Sequence, residues 1–287
     1  MEIRQTATTD KELAAYASLL GQVFPNSPSL GSVHYLGWLY CENPAGAVVG
    51  SDVWVDDELA AHYVCIPMQA TVEGKLSKGL LSLNTATNPK FQGRGFFTRL
   101  AQHTFETAAS EKFAFVYGVA NANSTPGFVK KLGFQLVSPL QAKIGIGSPI
   151  HPKMIEAKEQ NASFKRIWDS AALGWRIRNP FNACQISLDR KVATISARTP
   201  YPLIRAVANI NIDQNMSALS SVQANSFCMG LYLGLAKADE TLSTLYWSIP
   251  EKFKPSPLNL IYKSLGAAPS FIDPKNTSIS FLDFDAY

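Results

Sequence analysis

The stretch Asn88-Pro89-Lys90-Phe91-Gln92-Gly93-Arg94-Gly95-Phe96-Phe97-Thr98-Arg99-Leu100 decides how this chain is read. Ahead of it lies an apolar run, Leu80 to Thr87, with the character of a strand. Behind it, Phe96 to Ser110 carries Leu100, Phe105 and Ala108 on one side of a helix. A strand thus enters a glycine turn and a helix leaves it. Gly93 and Gly95 let the main chain turn tightly and approach a ligand closely. The first-turn amides of a helix have no internal partners and lie at the positive end of its dipole. Together these make an anion cradle suited to a pyrophosphate. Charge agrees: Lys75, Lys78, Lys90, Arg94 and Arg99 fall between Gly74 and Phe105, with no carboxylate among them. The turn is neither a Walker loop nor the three-glycine dinucleotide fingerprint. Taken alone, it is also compatible with an ordinary strand-to-helix connection.

Working outward, Asp10 to Phe24 reads as an amphipathic helix that Asp10 can cap. Val33 to Cys41 reads as a second helix, stopped by Asn43-Pro44. Ala47 to Val55 and Leu59 to Ile66 read as strands around the polar turn Asp56-Asp57-Glu58, and Glu73-Gly74-Lys75 is another turn. Beyond the helix at 96–110, Phe113 to Val119 is a continuous apolar strand of the kind buried on both faces. Thr125 to Leu132 is a short helix closed by Gly133, and Phe134 begins a further strand. Residues 1–147 therefore predict a mixed α/β architecture: an antiparallel meander, then strand–helix–strand–helix–strand, in one mostly antiparallel sheet flanked by helices.

The remaining length calls for a second unit. The 287 residues make one large domain or two ordinary ones, and with 46% hydrophobic and 17% charged residues the chain excludes intrinsic disorder. Leu36-Gly37-Trp38 with Asn43-Pro44 is echoed by Leu173-Gly174-Trp175 with Asn179-Pro180. Phe128 to Gly133 is echoed by Ile261 to Gly266, at nearly equal separation. Such paired signposts point to a structural repeat. The Gly- and Pro-bearing stretch from Ile144 to Pro152 is the natural boundary, giving units 1–147 and 148–287, the second a smaller α/β half. The net charge of +4 is too weak to argue for nucleic acid, and no apolar run is long enough for a membrane span. Without a secretory leader, a cytoplasmic location is expected. Cys41, Cys65, Cys184 and Cys228 are scattered, as are His34, His62, His103 and His151, so no metal site is expected.

Gln92-Gly93-Arg94-Gly95 resembles the acetyl-CoA loop of the GNAT N-acetyltransferases. The stretch Asn121-Ala122-Asn123-Ser124 followed by Phe128 to Phe134, ending in Leu-Gly-Phe, resembles a later motif of that family. The two lie in the expected order, one helix and one strand apart. The likeness covers about residues 1–147, and the wider pattern looks like the larger two-part bacterial members. Residues 148–287 would then be a degenerate GNAT-like copy without a coenzyme loop. The resemblance implies that acetyl-CoA is the cofactor. Gln92 would open the loop, and the amides of Gly93, Arg94, Gly95, Phe96, Phe97 and Thr98 would cradle the pyrophosphate. The strand Asn84, Thr85, Ala86 and Thr87 would pair with the pantetheine arm, and Asn121 and Asn123 would reach its far side. Two departures stand out: Phe97 replaces the second small loop residue, and Val129 replaces the tyrosine that often protonates the leaving thiolate. By the repeat, Tyr262 falls at the corresponding point of the second half.

In that family an amine attacks the thioester directly while a base removes its proton. The base candidates are His62, whose alternative is a hydrogen-bonded core histidine, and Glu73, whose alternative is a solvated turn residue. Glu42, Asp52 and the Tyr287 carboxylate are more remote options. Trp38, Tyr40, Trp54 and Tyr63 either line an acceptor pocket or pack in the core. The expected activity is acetyl transfer to a primary amine of a small acceptor, an amino sugar by analogy with larger members, with the second half shaping the acceptor site or a homodimer contact. The competing reading is a GNAT-fold module that binds acyl-CoA without efficient transfer. A transferase using aminoacyl-tRNA would need a basic groove, against which the modest charge argues.

Overall fold

The computed structural model describes residues 1–150, 155, 162–189, 191–212, 229–235, 245–249 and 257–284. His151, Cys228 and Tyr287 lie outside them. Strand β1 (Glu2–Gln5), which the sequence reading passed over, leads into α1 (Asp10–Val23) and α2 (Val33–Cys41). Helix α1 buries Leu13, Tyr16, Ala17, Leu19 and Leu20 along one face. Its N-cap is Thr9 rather than Asp10, which instead sits in the first turn. There a carboxylate still complements the dipole. The Ser32 hydroxyl caps α2 by accepting from the Tyr35 amide at 3.3 Å.

Strands β2 (Val49–Val55), β3 (Glu58–Val72) and β4 (Lys75–Thr87) form the expected antiparallel meander, with β3 and β4 longer and β2 shorter than the sequence pattern gave. Both hairpin turns hold two residues at positive φ: Asp56 and Asp57 at 47° and 62°, Glu73 and Gly74 at 47° and 74°. That is the turn geometry whose twist matches the strands it joins. Helix α3 (Phe96–Ser110) crosses to β5 (Phe115–Ala120), parallel to β4. The helix expected before Gly133 is present and contains a π-helical turn, Gly127–Lys131. Gly133 closes it at φ 70°, and the Phe134 amide donates back to the Phe128 carbonyl at 3.1 Å. Strands β6 (Gln135–Pro139) and β7 (Gln141–Gly145) follow.

The later chain supplies β8 (Phe164–Arg166), α4 (Ser170–Ile177), β9 (Gln185–Asp189), β10 (Val192–Arg198), β11 (Ile204–Asn211), β12 (Met229–Gly234), β13 (Tyr246–Ser248), β14 (Asn259–Ser264) and β15 (Thr277–Ser278). Two sheets result. The first runs β1-β2-β3-β4-β5-β14-β6, with β8 and β15 joined at the far end of β3. The second runs β9-β10-β11-β12-β7-β13. From β2 and from β9 the two follow the same pattern: three antiparallel strands, a parallel neighbour, then two antiparallel strands. In each, the fifth strand comes from the other part of the chain. β14 lies between β5 and β6, and β7 lies between β12 and β13. The chain first changes sheet between β6 and β7 and later returns to the first sheet in β8, β14 and β15, so pairing crosses the 147/148 boundary in both directions.

The two sequence echoes fare differently. Trp38 and Trp175 both sit on helices and stack on each other at 4.8 Å, and the Trp175 indole donates to the Trp38 carbonyl at 3.2 Å. Asn43 and Asn179 both accept from the amide two residues on, at 3.1 and 2.9 Å. The second echo does not hold, because Phe128 lies in the π-turn and Ile261 in strand β14. Tyr262 is accordingly a core residue of the first sheet, stacked on Phe115 at 5.7 Å, with its hydroxyl donating to the Pro269 carbonyl.

Alternation along β3 sorts the layers. Tyr63 and Cys65 face α3, together with Leu80 and Val116. Val64 and Ile66 face α1 and α2 on the opposite side. Further along that second face, Met68, Ala70 and Val72 meet the residues of the second sheet. Helix α3 and the pair α1 and α2 therefore occupy opposite faces of one sheet.

Candidate functional site: the splay between β4 and β5

The β4–β5 ladder runs only from Gly79 opposite Phe115 to Ser82 opposite Gly118. Beyond it the two strands no longer pair with each other, so the β5-facing edge of β4 from Leu83 onward is open to a ligand backbone. A bulge marks the same place: His62 pairs with Ala86 and Val64 with Leu83, which sets Asn84 and Thr85 against the single residue Tyr63. Asn84 sits at φ 45°, a left-handed conformation that asparagine tolerates better than most residues. Thr85 and Thr87 stay half-exposed, while Ala86 is buried.

The loop beyond β4 carries the anion chemistry. The Asn88 side chain accepts from the Lys90 amide at 3.0 Å and shapes a short 3-10 turn, Pro89–Phe91. Gln92 closes that turn on the exposed rim. Gly93 and Gly95 lie at φ 78° and 73°, and a Cβ at either position would meet nothing within 4 Å. Gly95 is the N-cap of α3 and supplies no side-chain acceptor. The first amides of a 15-residue helix thus face open space. The crevice fits a diphosphate: open room, amide donors and a positive helix end. Phe97 does not block it. Its ring packs edge-on against Phe128 at 5.0 Å and Tyr63 at 6.4 Å. Arg94 lies over the Phe91 ring at 5.2 Å, on the rim.

Across the splay, Asn121 follows the end of β5. Its carboxamide oxygen accepts from the amides of Asn123 and Ser124 at 3.0 and 2.9 Å, organising the turn that opens the next helix. Both Asn121 and Asn123 are exposed at that mouth. Val129 packs half-buried beside the α3 core and offers no proton.

Of the base candidates, Glu73 is not brought to the splay. It sits in the turn at the other end of the β3–β4 hairpin, roughly 30 Å from Asn84 at about 3.3 Å per residue, and Glu42 is exposed at the end of α2. His62 adjoins the bulge but is fully buried. Its Nδ1 lies 2.6 Å from Asp52 Oδ1, and its Nε2 lies 3.0 Å from Tyr40 Oη. Asn84 Nδ2 donates to the same Tyr40 oxygen at 3.0 Å. The Tyr16 hydroxyl donates to Asp52 Oδ2 at 2.6 Å, and its ring stacks on His62 at 4.1 Å. Burial and the Asp52 carboxylate push the Tyr16 phenol well above its ordinary range, so it remains a donor. A buried Asp52–His62–Tyr40 chain thus ends at the half-exposed Asn84. Sequence reasoning named His62 and Asp52 but missed their pairing. A regular hairpin about Asp56-Asp57 opposes Asp52 to Ala61, and a bulge between Val53 and Trp54 shifts the register so that His62 faces it.

The aromatic cluster resolves into separate duties. Trp38 stacks on Trp175, Tyr40 joins the buried chain, and Tyr63 faces α3 with its hydroxyl 2.8 Å from Ser82 Oγ. A separate cavity of about 520 Å³ shares no lining residue with the splay. Asn209, Asn211, Tyr232, Arg166 and Asp283 line it, where β11 and β12 part beyond Ala206 and Leu231.

Of the described cysteines, Cys41 is exposed and Cys65 is buried behind Tyr63. Burial pushes the Cys65 thiol up to about 12. In the folded protein, iodoacetamide is expected to label Cys41 at least a hundredfold faster than Cys65, followed by peptide mass mapping. Equal rates would show that Cys65 is accessible. Among the described residues no helix is long and apolar enough to cross a membrane.

Residues 3–137 match the family model of the GNAT acetyltransferase domain. The fold is similar to a GCN5-related N-acetyltransferase from Anabaena variabilis, with a TM-score of 0.61 at 13% identity, covering 92% of this chain and 73% of that one. It is also similar to a conserved protein of Enterococcus faecalis described as a probable N-acyltransferase, with a TM-score of 0.59 at 10% identity, covering 93% and 73%. A GCN5-related N-acetyltransferase from Kribbella flavida gives 0.59 at 10% identity, covering 93% and 72%. At such identities the likeness is one of fold. No curated protein sequence matches the chain. With the glycine loop, the splayed strands and the matched family model in one place, residues 3–137 carry the GNAT acetyltransferase domain that the model describes, in a two-sheet chain whose later strand β14 completes the first sheet.

Proposed function

We propose that this protein is an acetyl-CoA-dependent N-acetyltransferase acting on a primary amine of a small acceptor. The observation that carries the reading is the coincidence of three features: the β4–β5 ladder ends at Ser82, Gly93 and Gly95 leave open space, and the uncapped end of α3 lies beside them. Amides of Gly93 to Thr98 would hold the diphosphate, and the free edge of β4 from Asn84 to Thr87 would pair with the pantetheine arm. Acetyl-CoA supplies an activated thioester carbonyl. Attack by a neutral amine forms the C–N bond and breaks the C–S bond, and the ammonium proton passes to a base. With Val129 where a proton donor is often found, water protonates the thiolate. The identity of the acceptor, with an amino sugar as one class, is part of this reading.

The two sheets share their strand order and sense, which supports descent of both halves from one unit with the fifth strands exchanged. The stretch after β11 has no glycine pair of the Gly93-Gly95 kind, so the coenzyme is assigned to the first sheet alone. The specific observation favouring a binding module is Val129.

The test measures thiol release from acetyl-CoA with butylamine, benzylamine and glucosamine, beside calorimetric titration with coenzyme A. Coenzyme binding with amine-dependent release is expected. Binding with no release for any amine would favour the module, and no binding would remove both readings.

A further inference from the structure

The buried chain behind the bulge sets the polarity of Asn84. Its starting point is Asp52, a carboxylate that is 1% exposed and accepts at both oxygens. Tyr16 donates to Oδ2, so the second donor is His62 Nδ1–H, at Oδ1. With its proton on Nδ1, a neutral His62 presents Nε2 as an acceptor. Tyr40 has one hydroxyl proton and gives it to Nε2. The Tyr40 oxygen can then only accept, and the atom facing it must be Asn84 Nδ2 rather than Oδ1. With His62 taken as neutral, each bond in the series leaves one orientation for the next. The carboxamide of Asn84 is therefore held with its nitrogen inward and its oxygen toward the splay.

The face matters as much as the polarity. Tyr40 belongs to α2, which packs on the side of the sheet opposite α3. The Asn84 side chain thus enters from the side away from the diphosphate crevice, while its backbone forms part of the edge of β4. A coenzyme arm laid along that edge would have the α3 side behind it and Asn84 Oδ1 in front.

We infer that Asp52, His62 and Tyr40 are positioning residues that lock Asn84 as a hydrogen-bond acceptor for the N–H of the incoming amine. This rests on the transfer reading above and assigns the acceptor side of that site. An outward carbonyl oxygen selects an N–H donor and gives no matching bond to a carboxylate or an ether oxygen. It also aims the nitrogen lone pair, since an amine that donates one hydrogen to Asn84 keeps its lone pair free for the thioester. His62 does not touch the amine. Its burial excludes direct proton abstraction, and it acts through Tyr40.

Two measurements test this. A long-range proton–nitrogen correlation spectrum of 15N-histidine-labelled protein at pH 7.5 reads the state of His62 without any acceptor, with His62→Gln protein assigning the signal. The neutral Nδ1–H form is expected; the Nε2–H form or an imidazolium would reverse the polarity and overturn the inference. The second variant is Tyr40→Phe, which removes one buried oxygen and keeps the ring. For whichever of butylamine, benzylamine and glucosamine turns over, KM is expected to rise at least tenfold, with a much smaller change in kcat and an unchanged coenzyme A dissociation constant. An unchanged KM would overturn the inference while leaving the transfer reading intact. Coenzyme binding without turnover on any amine would instead defeat the transfer reading and the acceptor role with it.

Discussion

Gly95→Trp is expected to abolish coenzyme A binding while the protein stays folded. Gly95 caps α3 at φ 73°, and a Cβ there meets no atom within 4 Å, so an indole enters the crevice rather than the core. The left-handed backbone costs a non-glycine residue about 1–2 kcal/mol. That is tolerable for a domain whose total stability is of order 5–15 kcal/mol. Filling the space beside the free amides removes the diphosphate contacts altogether. We expect affinity to fall by a factor of more than about 100, equivalent to some 2.7 kcal/mol. Gly95→Ala separates the causes: it carries the backbone cost without the bulk, and its loss of affinity should be much smaller. Calorimetric titration with coenzyme A and thermal unfolding read the two effects. Gly95→Trp protein that binds with wild-type affinity would place the coenzyme elsewhere.

A fragment of residues 1–147 is expected not to fold. Without β14, strand β5 loses one of its two neighbours, and Leu260, Ile261 and Tyr262, each no more than 1% exposed, are gone from the core. A fully buried side chain of this size contributes about 1.5–3 kcal/mol. Three of them account for much of an ordinary domain's stability before the bared ladder is considered. The same cut leaves β7 without the β12 and β13 it pairs with. The fragment is expected to give no cooperative thermal transition by circular dichroism and to bind no coenzyme A. Cooperative unfolding of 1–147 would show that the first sheet closes without its exchanged strand.

How far the sequence could be read follows from the range of the interactions involved. The hairpins, the three long helices of the first part and the loop at Gly93 and Gly95 are local features, set by turn residues, apolar period and backbone freedom, and they were legible. Strand β1 was not, because four residues with a single apolar side chain carry no period of their own and form only by pairing with β2. The place of β14 was illegible for a different reason. Asn259 to Ser264 looks like any short strand, and nothing in it names Phe115 to Ala120 as its partner, so the resemblance of 261–266 to 128–133 misled. At the site, the anion cradle was visible as a motif. The Asp52–His62–Tyr40–Asn84 chain was not, since it depends on two bulges that change which residues face each other, and a bulge leaves little trace in composition.

The crossed placement of β7 and β14 also orders events during synthesis. As the nascent chain leaves the ribosome, β4, α3 and β5 can assemble early, yet the outer edge of β5 stays bare until residue 264 has been made. The loop at Gly93 and Gly95 is therefore complete in sequence long before the sheet behind it is braced. Until then the exposed edge is a point where a second nascent copy can dock its own β14, a route to intertwined aggregates that a holding chaperone would suppress.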